Sequence, residues 1–262
     1  MLWCIPLILT GIKVNLLKPG DDLLTEIVSS MEAQRIRFED GDILAIGSKV
    51  IAITQNRLVY LKSITPSKEA STLAEKYGLA PSYVEIVLQE SKGVYGGVWR
   101  ALLTLKDKLF IANAGVDFKN APEGYVVLWP KNPQETAENI RRSIMERYGK
   151  RMGVLIVDSR VTPLRRGTIG VAIGVAGIQP VKDCRSETDL YGKKIHITTH
   201  ALADDLASAA HLIMGETREQ IPAVLIRGAP VEVIEEDDPE PIHMPPDECL
   251  YGHILITSKR EN

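Results

Sequence analysis

The chain has 262 residues, with 31 Lys+Arg set against 34 Asp+Glu for a formal charge of −3, and it is 45% hydrophobic and 25% charged. This is the make-up of a soluble globular protein that can bury a sizeable core, which excludes disorder as its main state. A pI near 6.0 argues against a dedicated nucleic-acid binder, which carries a basic patch or stripe.

The apolar opening, Met1 to Leu9, reads as a buried first strand. It has no basic leader or small-residue cleavage site, and polar residues return at Thr10, well short of the ~20 apolar residues that span a bilayer. No membrane association is expected. Cys4, Cys184 and Cys249 are isolated and odd in number, so neither a disulfide framework nor a CxxC metal knuckle is expected, and a reduced, cytoplasmic setting follows.

Short Val-, Ile- and Leu-rich runs bounded by Gly, Pro, Asn or Asp predict strands at 43–46, 50–53, 100–105, 109–112, 125–128, 153–157, 168–173, 223–226 and 250–256. Two helices are expected over 67–90, broken at Gly78 and Pro81. A third is expected over 132–148, with Asn132 as cap, Pro133 at the first helical position, a stripe of Ala137, Ile140, Ile144 and Tyr148, and Gly149 as the stop. A fourth is expected over 199–214, where Leu202, Leu206, Ala209 and Ile213 recur at helical spacing before Gly215. Direct strand neighbours and strand–helix–strand passages both occur, which predicts an α+β fold with mixed sheets and flanking helices. Residues 1–262 are read as one domain, two-lobed at most, with no internal boundary marked. The acidic and proline-rich stretch 235–248 reads as a solvated loop.

No GxxxxGK[ST] loop, GxGxxG fingerprint, HExxH or GxSxG elbow is present. Four other segments carry candidate chemistry. They are Gly41-Asp-Ile-Leu-Ala-Ile-Gly-Ser48-Lys49; Ala112-Asn-Ala-Gly-Val-Asp117-Phe-Lys-Asn120; Val154-Leu-Ile-Val-Asp158-Ser159, with Arg165 and Arg166 beyond it; and Leu212-Ile-Met-Gly215-Glu216. Each acid, taken singly, reads first as a turn cap. Together, Asp117, Asp158 and Glu216 stand at the ends of apolar elements, where side chains can converge. Oxygen-only ligands of this kind suit Mg²⁺ or Mn²⁺ shared with substrate phosphates, with Lys49, Arg165 and Arg166 balancing phosphate charge. A rival zinc-type cluster of His200, Asp204 and His211 is outweighed by their reading as ordinary polar-face residues.

These segments, in this order and spacing, resemble the glutamate ligases that extend the deazaflavin coenzyme F-420 (the CofE family). The similarity runs from about Gly41 to Gly228 and includes Val171 to Gly177, Asp189-Leu-Tyr-Gly192, Ala203 to Ala210, Met214-Gly-Glu216 and Arg227-Gly228. The resemblance implies a GTP-dependent ligase, a cytoplasmic homodimer, that joins L-glutamate to the carboxylate of a deazaflavin coenzyme precursor through an acyl phosphate. A folate or pterin acceptor, or a non-catalytic homologue that binds nucleotide or deazaflavin, are the alternatives. By position, Asp117 and Asp158 would bind one divalent metal, and Ser159 and Glu216 a second, with a monovalent cation as a further implied ion. Ser48, Lys49, Asn120, Met214, Gly215, Glu216, Thr217 and Arg218 would contact GTP, and Asp158 and Arg165 would carry catalysis. The sequence departs from the family pattern at Ile53, where a second lysine is usual, at Val161 and Thr162, which replace Gly and Arg, and at Ser186, which replaces Gly.

Overall fold

The computed structural model describes residues 6–185, 187–235 and 242–260. Its elements in chain order are β1 (Ile8–Ile12), α1 (Leu23–Ala33), β2 (Ile43–Gly47), α2 (Ser48–Thr54), β3 (Leu58–Tyr60), α3 (Lys68–Tyr77), α4 (Pro81–Glu90), β4 (Gly93–Val98), β5 (Ala101–Lys106) and β6 (Leu109–Ala112). They continue with β7 (Tyr125–Val127), α5 (Pro133–Tyr148), β8 (Gly153–Val161), β9 (Thr168–Ala176), β10 (Lys182–Asp183), β11 (Thr199–His200), α6 (Leu202–Met214), β12 (Ala223–Arg227) and α7 (Leu250–Arg260).

Five strands form the main sheet in the order β1-β12-β2-β8-β9. Only β2 and β8 run parallel; the other neighbours are antiparallel. Both faces are covered, so the inner strands are apolar at every position and the period-two alternation divides them between two cores. Leu44, Ile46, Val154, Ile156, Ala223 and Leu225 face one way, with α1 and α5 supplying Ile27, Met31, Ala137 and Ile144. Ile43, Ala45, Leu155, Val157, Val224 and Ile226 face the other way, against Ala203, Leu206, Ala207 and Ala210 of α6. A shift of register between Ile156 and Val157 gives β9 one extra residue. Its effect is visible in the packing: Ile173 joins the first core and Val175 the second.

The stretch from β3 to β7 builds a smaller layer. The β4-β5-β6 sheet and helices α3 and α4 enclose Tyr83, Val84, Val87, Leu102, Val126 and Leu128. Arg57 ties this layer to the rest: its Nη2 donates to both oxygens of Glu90 at 2.8 Å, and its Nε donates to the Trp129 carbonyl at 3.0 Å.

The mixed sheet and flanking helices are those expected from the sequence, with local differences. Residues 50–53 are helical, not a strand. Ser48, Ile51 and Ala52 are the buried positions of α2, a three-to-four spacing hidden inside a β-branched run that alternation alone cannot classify. Residues 250–256 likewise belong to helix α7. Thr199 and His200 pair with Asp183 and Lys182 as strand β11, so the fourth expected helix starts at Leu202. The first strand is an edge strand, β1, with only Ile12 fully buried; Met1 to Ile5, including Cys4, lie outside the described residues, as do Ser186 and residues 236–241 of the acidic stretch. Helix α1 was not anticipated, although Asp22 caps it and Leu23, Leu24, Ile27, Val28 and Met31 line its buried face.

Candidate functional site

Four chain segments are steered into one cleft, each by a local device. β2 ends at Gly47, whose N–H donates to the Pro222 carbonyl at 2.8 Å, and the chain turns directly into α2 with Ser48 and Lys49 in its first turn. β6 ends in three successive left-handed residues, Asn113 (φ 51°), Ala114 (φ 54°) and Gly115 (φ 72°). A side chain at Gly115 would strike the Trp129 ring, and left-handed Ala114 is strained. The strain is offset by the Asn113 Oδ1 that accepts from Leu102 N–H at 2.8 Å and by the buried Thr104 hydroxyl that accepts from Ala114 N–H at 2.8 Å. This turn delivers Asp117. β8 emerges from the sheet at Asp158 and Ser159. Helix α6 stops at Gly215 (φ 71°), where a Cβ would strike Glu219, and this releases Glu216.

These segments surround a cavity of about 690 Å³, a size suited to a nucleotide-sized ligand. Its polar end presents Ser48, Lys49, Asp117, Asp158, Ser159 and Glu216. Apolar side chains make up much of the rest of its lining, among them Val14, Leu17, Val50, Ile53, Leu58 and Ile221. Lys49 Nζ donates to Asp117 Oδ2 at 2.6 Å. Asp117 Oδ1 accepts from Lys119 N–H at 2.9 Å, and Asp158 Oδ1 accepts from Ser159 N–H at 2.6 Å. Burial pushes the Asp158 carboxyl up to about 6 and the charge of Asp117 adds to the rise, against hydrogen bonds from Ser159 and Ser48 and the charge of Lys49. Glu216 is the reverse: burial opposes its charge, but donors from Thr168 (2.6 Å), Lys119 (2.9 Å) and His211 (2.9 Å) hold it down to about 2.

Of the residues singled out in the sequence, Ser48, Lys49, Asp117, Asn120, Asp158, Ser159, Met214, Gly215, Glu216, Thr217 and Arg218 all line this cavity. Arg165 does not. The β8–β9 pair extends to Val161 and Thr168, and Arg165 sits beyond them in an exposed turn where its N–H donates to the Thr162 carbonyl. The three zinc-type candidates are also spent separately: His200 pairs with Asp205 at 2.7 Å, Asp204 accepts from Ala172 N–H at 2.9 Å, and His211 bonds Glu216. Sequence reading did not anticipate the roles of Thr168, Lys119 or His211 around Glu216. His211 was the one with a signal, lying on the face of α6 that ends at Met214. The apolar wall contributed by Val14 to Pro19 had none.

Among the described residues, no three His, Cys, Asp or Glu side chains are grouped closely enough to hold a metal ion by themselves. The donor set nonetheless fits a hard divalent cation in part. Asp117 and Asp158 repel one another while Lys49 pairs with Asp117, and this repulsion adds a smaller part to the rise of Asp158 that burial chiefly causes. Mg²⁺ is typically held by one or two carboxylates, with water and substrate phosphate completing the shell. Glu216 is already satisfied by three donors of the chain.

The chain belongs to the F420-0:Gamma-glutamyl ligase family, whose model matches residues 11–228. Among curated relatives, the coenzyme F420:L-glutamate ligase of Methanopyrus kandleri is 41% identical over 223 residues, spanning 85% of this chain and 86% of that protein. The protein of the same name from Archaeoglobus fulgidus is 40% identical over 240 residues, spanning 92% and 94%. That of Methanocaldococcus jannaschii is 40% identical over 223 residues, spanning 84% and 87%. No described helix is long and apolar enough to cross a membrane.

Proposed function

We propose that the chain is a ligase that forms a carbon–nitrogen bond between L-glutamate and the carboxylate of a deazaflavin coenzyme precursor, driven by GTP. The observation that carries this reading is the convergence of the Asp117–Asp158 pair, Lys49, Ser48 and Ser159 at one end of a single nucleotide-sized cavity, in a chain whose family and relatives are glutamate ligases of coenzyme F420. A carboxylate is a poor acyl donor because oxide is a poor leaving group. Phosphorylation corrects this: an acceptor carboxylate oxygen attacks the γ-phosphorus, the bond to the β-phosphate oxygen breaks, and GDP leaves. The α-amine of glutamate then adds to the acyl carbon, phosphate departs and the amine loses its extra proton.

Neither step needs a protein nucleophile; both need charge neutralisation and alignment. Asp117 and Asp158 would hold Mg²⁺ or Mn²⁺, which when bound supplies neutralisation of phosphate charge. Lys49, on the first turn of α2, is placed to turn from Asp117 to a phosphate oxygen. Ser48 and Ser159 orient Asp158 and offer hydroxyl and amide donors. The loops at 117–122 and 214–222 are clasped by Lys119–Glu216 and by Asn120 Nδ2 donating to the Thr217 carbonyl at 3.0 Å. Such a clasp keeps water from the acyl phosphate. The homodimer belongs to the same proposal, whereas Glu216, answered by Thr168, Lys119 and His211, holds the loops and is not assigned to a second metal.

The test is direct. Purified protein is incubated with GTP, Mg²⁺ or Mn²⁺, glutamate and a deazaflavin acceptor. The acceptor should gain the mass of one glutamyl residue as GDP is released in equal amount. GDP release without transfer, or transfer to a pterin in preference to the deazaflavin, would overturn the acceptor; no GDP with any acceptor would overturn the enzyme.

A further inference from the structure

The two-stranded β3–β7 ribbon separates the cavity from the core of the smaller layer, and its alternation gives each face a distinct job. Val59 and Val126 are opposite one another and pack into the smaller core. Leu58 and Val127, one register step away, face the other side: Leu58 lines the main cavity and Val127 the small chamber of about 30 Å³ behind Lys49 and Asp158. One further step out, the same face carries the Tyr60–Tyr125 pair, because residues two apart on a strand share a face. Their rings lie 5.0 Å apart between centroids, tilted by 41°. They are fixed from beneath. Tyr60 covers Gly124, where a Cβ would come within 2.8 Å of its ring, and Tyr125 N–H donates at 3.0 Å to the carbonyl of Pro122, itself a wall residue of the cavity.

The result is an aromatic ledge two residues along the same ribbon face from the cavity-wall residue Leu58. Tyr60 and Tyr125 are 38% and 36% exposed, which leaves ring surface uncovered although both side chains are held in place. Aromatic faces are favourable surfaces for flat heteroaromatic ligands. The cavity itself suits one nucleotide-sized ligand, so a nucleoside triphosphate leaves little room for a second large substrate. A substrate whose reactive carboxylate must reach Asp158 while its bulk stays outside needs a surface joined to the cavity.

Building on the ligase reading above, we propose that the Tyr60–Tyr125 ledge stacks the flat tricyclic ring of the deazaflavin acceptor and so selects a carboxylate substrate with a planar head. The ribbon face running from Tyr60 to Leu58 then leads the acceptor's tail toward the polar end of the cavity.

The experiment compares the wild-type chain with Tyr60→Leu, Tyr125→Leu and the conservative Tyr60→Phe. Deazaflavin binding is followed by its own fluorescence, KM values are measured separately for acceptor and GTP, and melting is recorded for every variant. Each leucine variant should weaken acceptor binding and raise the acceptor KM roughly tenfold, the scale on which aromatic stacking acts. The GTP KM should stay within about twofold, and Tyr60→Phe should restore acceptor binding. A unchanged acceptor KM in both leucine variants overturns the ledge while leaving the ligase reading intact. An equal rise in the GTP KM would assign the ledge to the nucleotide instead. A wild-type chain that binds deazaflavin through the ledge but never ligates glutamate would keep this inference and overturn the reading beneath it.

Discussion

Two carboxylates that line one cavity are treated in opposite ways. Asp158 follows the fully buried half of β8, and burial, with a smaller part from the charge of Asp117, pushes it up to about 6 against the donors from Ser159 and Ser48. Glu216 follows a helix stop, receives three donors including Lys119, and is held down to about 2. The first is a charge left partly uncompensated by the chain; the second is a charge the chain has fully answered. Uncompensated buried charge is costly unless a partner arrives. Asp158 and Asp117 therefore read as the place where an external cation and phosphate complete the site, and Glu216 as the pin that holds two loops over it.

The largest expected effect lies at the uncompensated pole. Asp158→Asn should lower GDP release by about a hundredfold to a thousandfold, the scale of losing one well-placed electrostatic element. Its melting temperature without divalent metal should equal or exceed that of the wild type, because a buried charge is removed and volume is kept. Activity near wild type would make Asp158 a turn cap and erase the contrast. The metal arm sharpens it: at about a hundred times its dissociation constant, Mn²⁺ should stabilise the wild type by roughly 2.7 kcal/mol, a rise of several degrees, and leave Asp158→Asn nearly unmoved.

The next effect is at the compensated pole. Glu216→Gln keeps the side chain's shape and loses the charge that Lys119 and His211 share. It should cost about 1–2 kcal/mol, the value of hydrogen bonds to a charged group reduced for partial exposure, and show as a lower melting temperature with a higher GTP KM. A loss of turnover as deep as that of Asp158→Asn, with no change in melting, would place Glu216 among the metal ligands.

The pole that carries the candidate chemistry was also the more legible one. Asp117 and Asp158 follow apolar runs, Ser48-Lys49 follow a strand and a glycine, and Glu216 follows a helix and a glycine. These are local punctuation signals, and the structure brings all of them to one cavity. What the sequence withheld is non-local. Arg165 belongs to the same linear motif as Asp158, yet β8 and β9 continue as a paired hairpin past the sheet and carry it away from the cavity. Thr168 and His211 meet Glu216 only because β9 packs across α6, where Gly170 lets the Ala207 backbone approach closely. Ile53 shows a third limit. It reads as a strand residue and a missing lysine, but once 48–54 is a helix the same position becomes part of an apolar cavity wall.

The opposite shifts also predict opposite acid responses, in metal-free buffer. The folded-state value of Asp158, about 6, lies above its ordinary 3.8, so its contribution to stability is full below about pH 4 and is lost as pH rises through 6. Glu216, at about 2 against an ordinary 4.5, contributes fully above pH 4.5 and loses that contribution as pH falls toward 2. Melting of the wild type relative to Asp158→Asn should therefore decline between pH 4 and pH 7, and melting relative to Glu216→Gln should decline on acidification below 4.5. Parallel curves across both windows would mean that the two carboxylates have equivalent surroundings.

Lys119→Ala should have the smallest effect and separates a pin from a phosphate ligand. The Lys119 side chain is 58% exposed and pairs with Glu216 at 2.9 Å; exposed pairs of this kind contribute about 0.2–1 kcal/mol. Removing it leaves Glu216 with Thr168 and His211, so melting should fall by no more than a few degrees and turnover by only a few fold, with the effect fading as salt rises. The salt series is the discriminating measurement. A deep loss of GDP release that persists at high salt would mean the ammonium leaves Glu216 for the transferred phosphate, and the compensated pole would then take part in the chemistry it was assigned only to enclose.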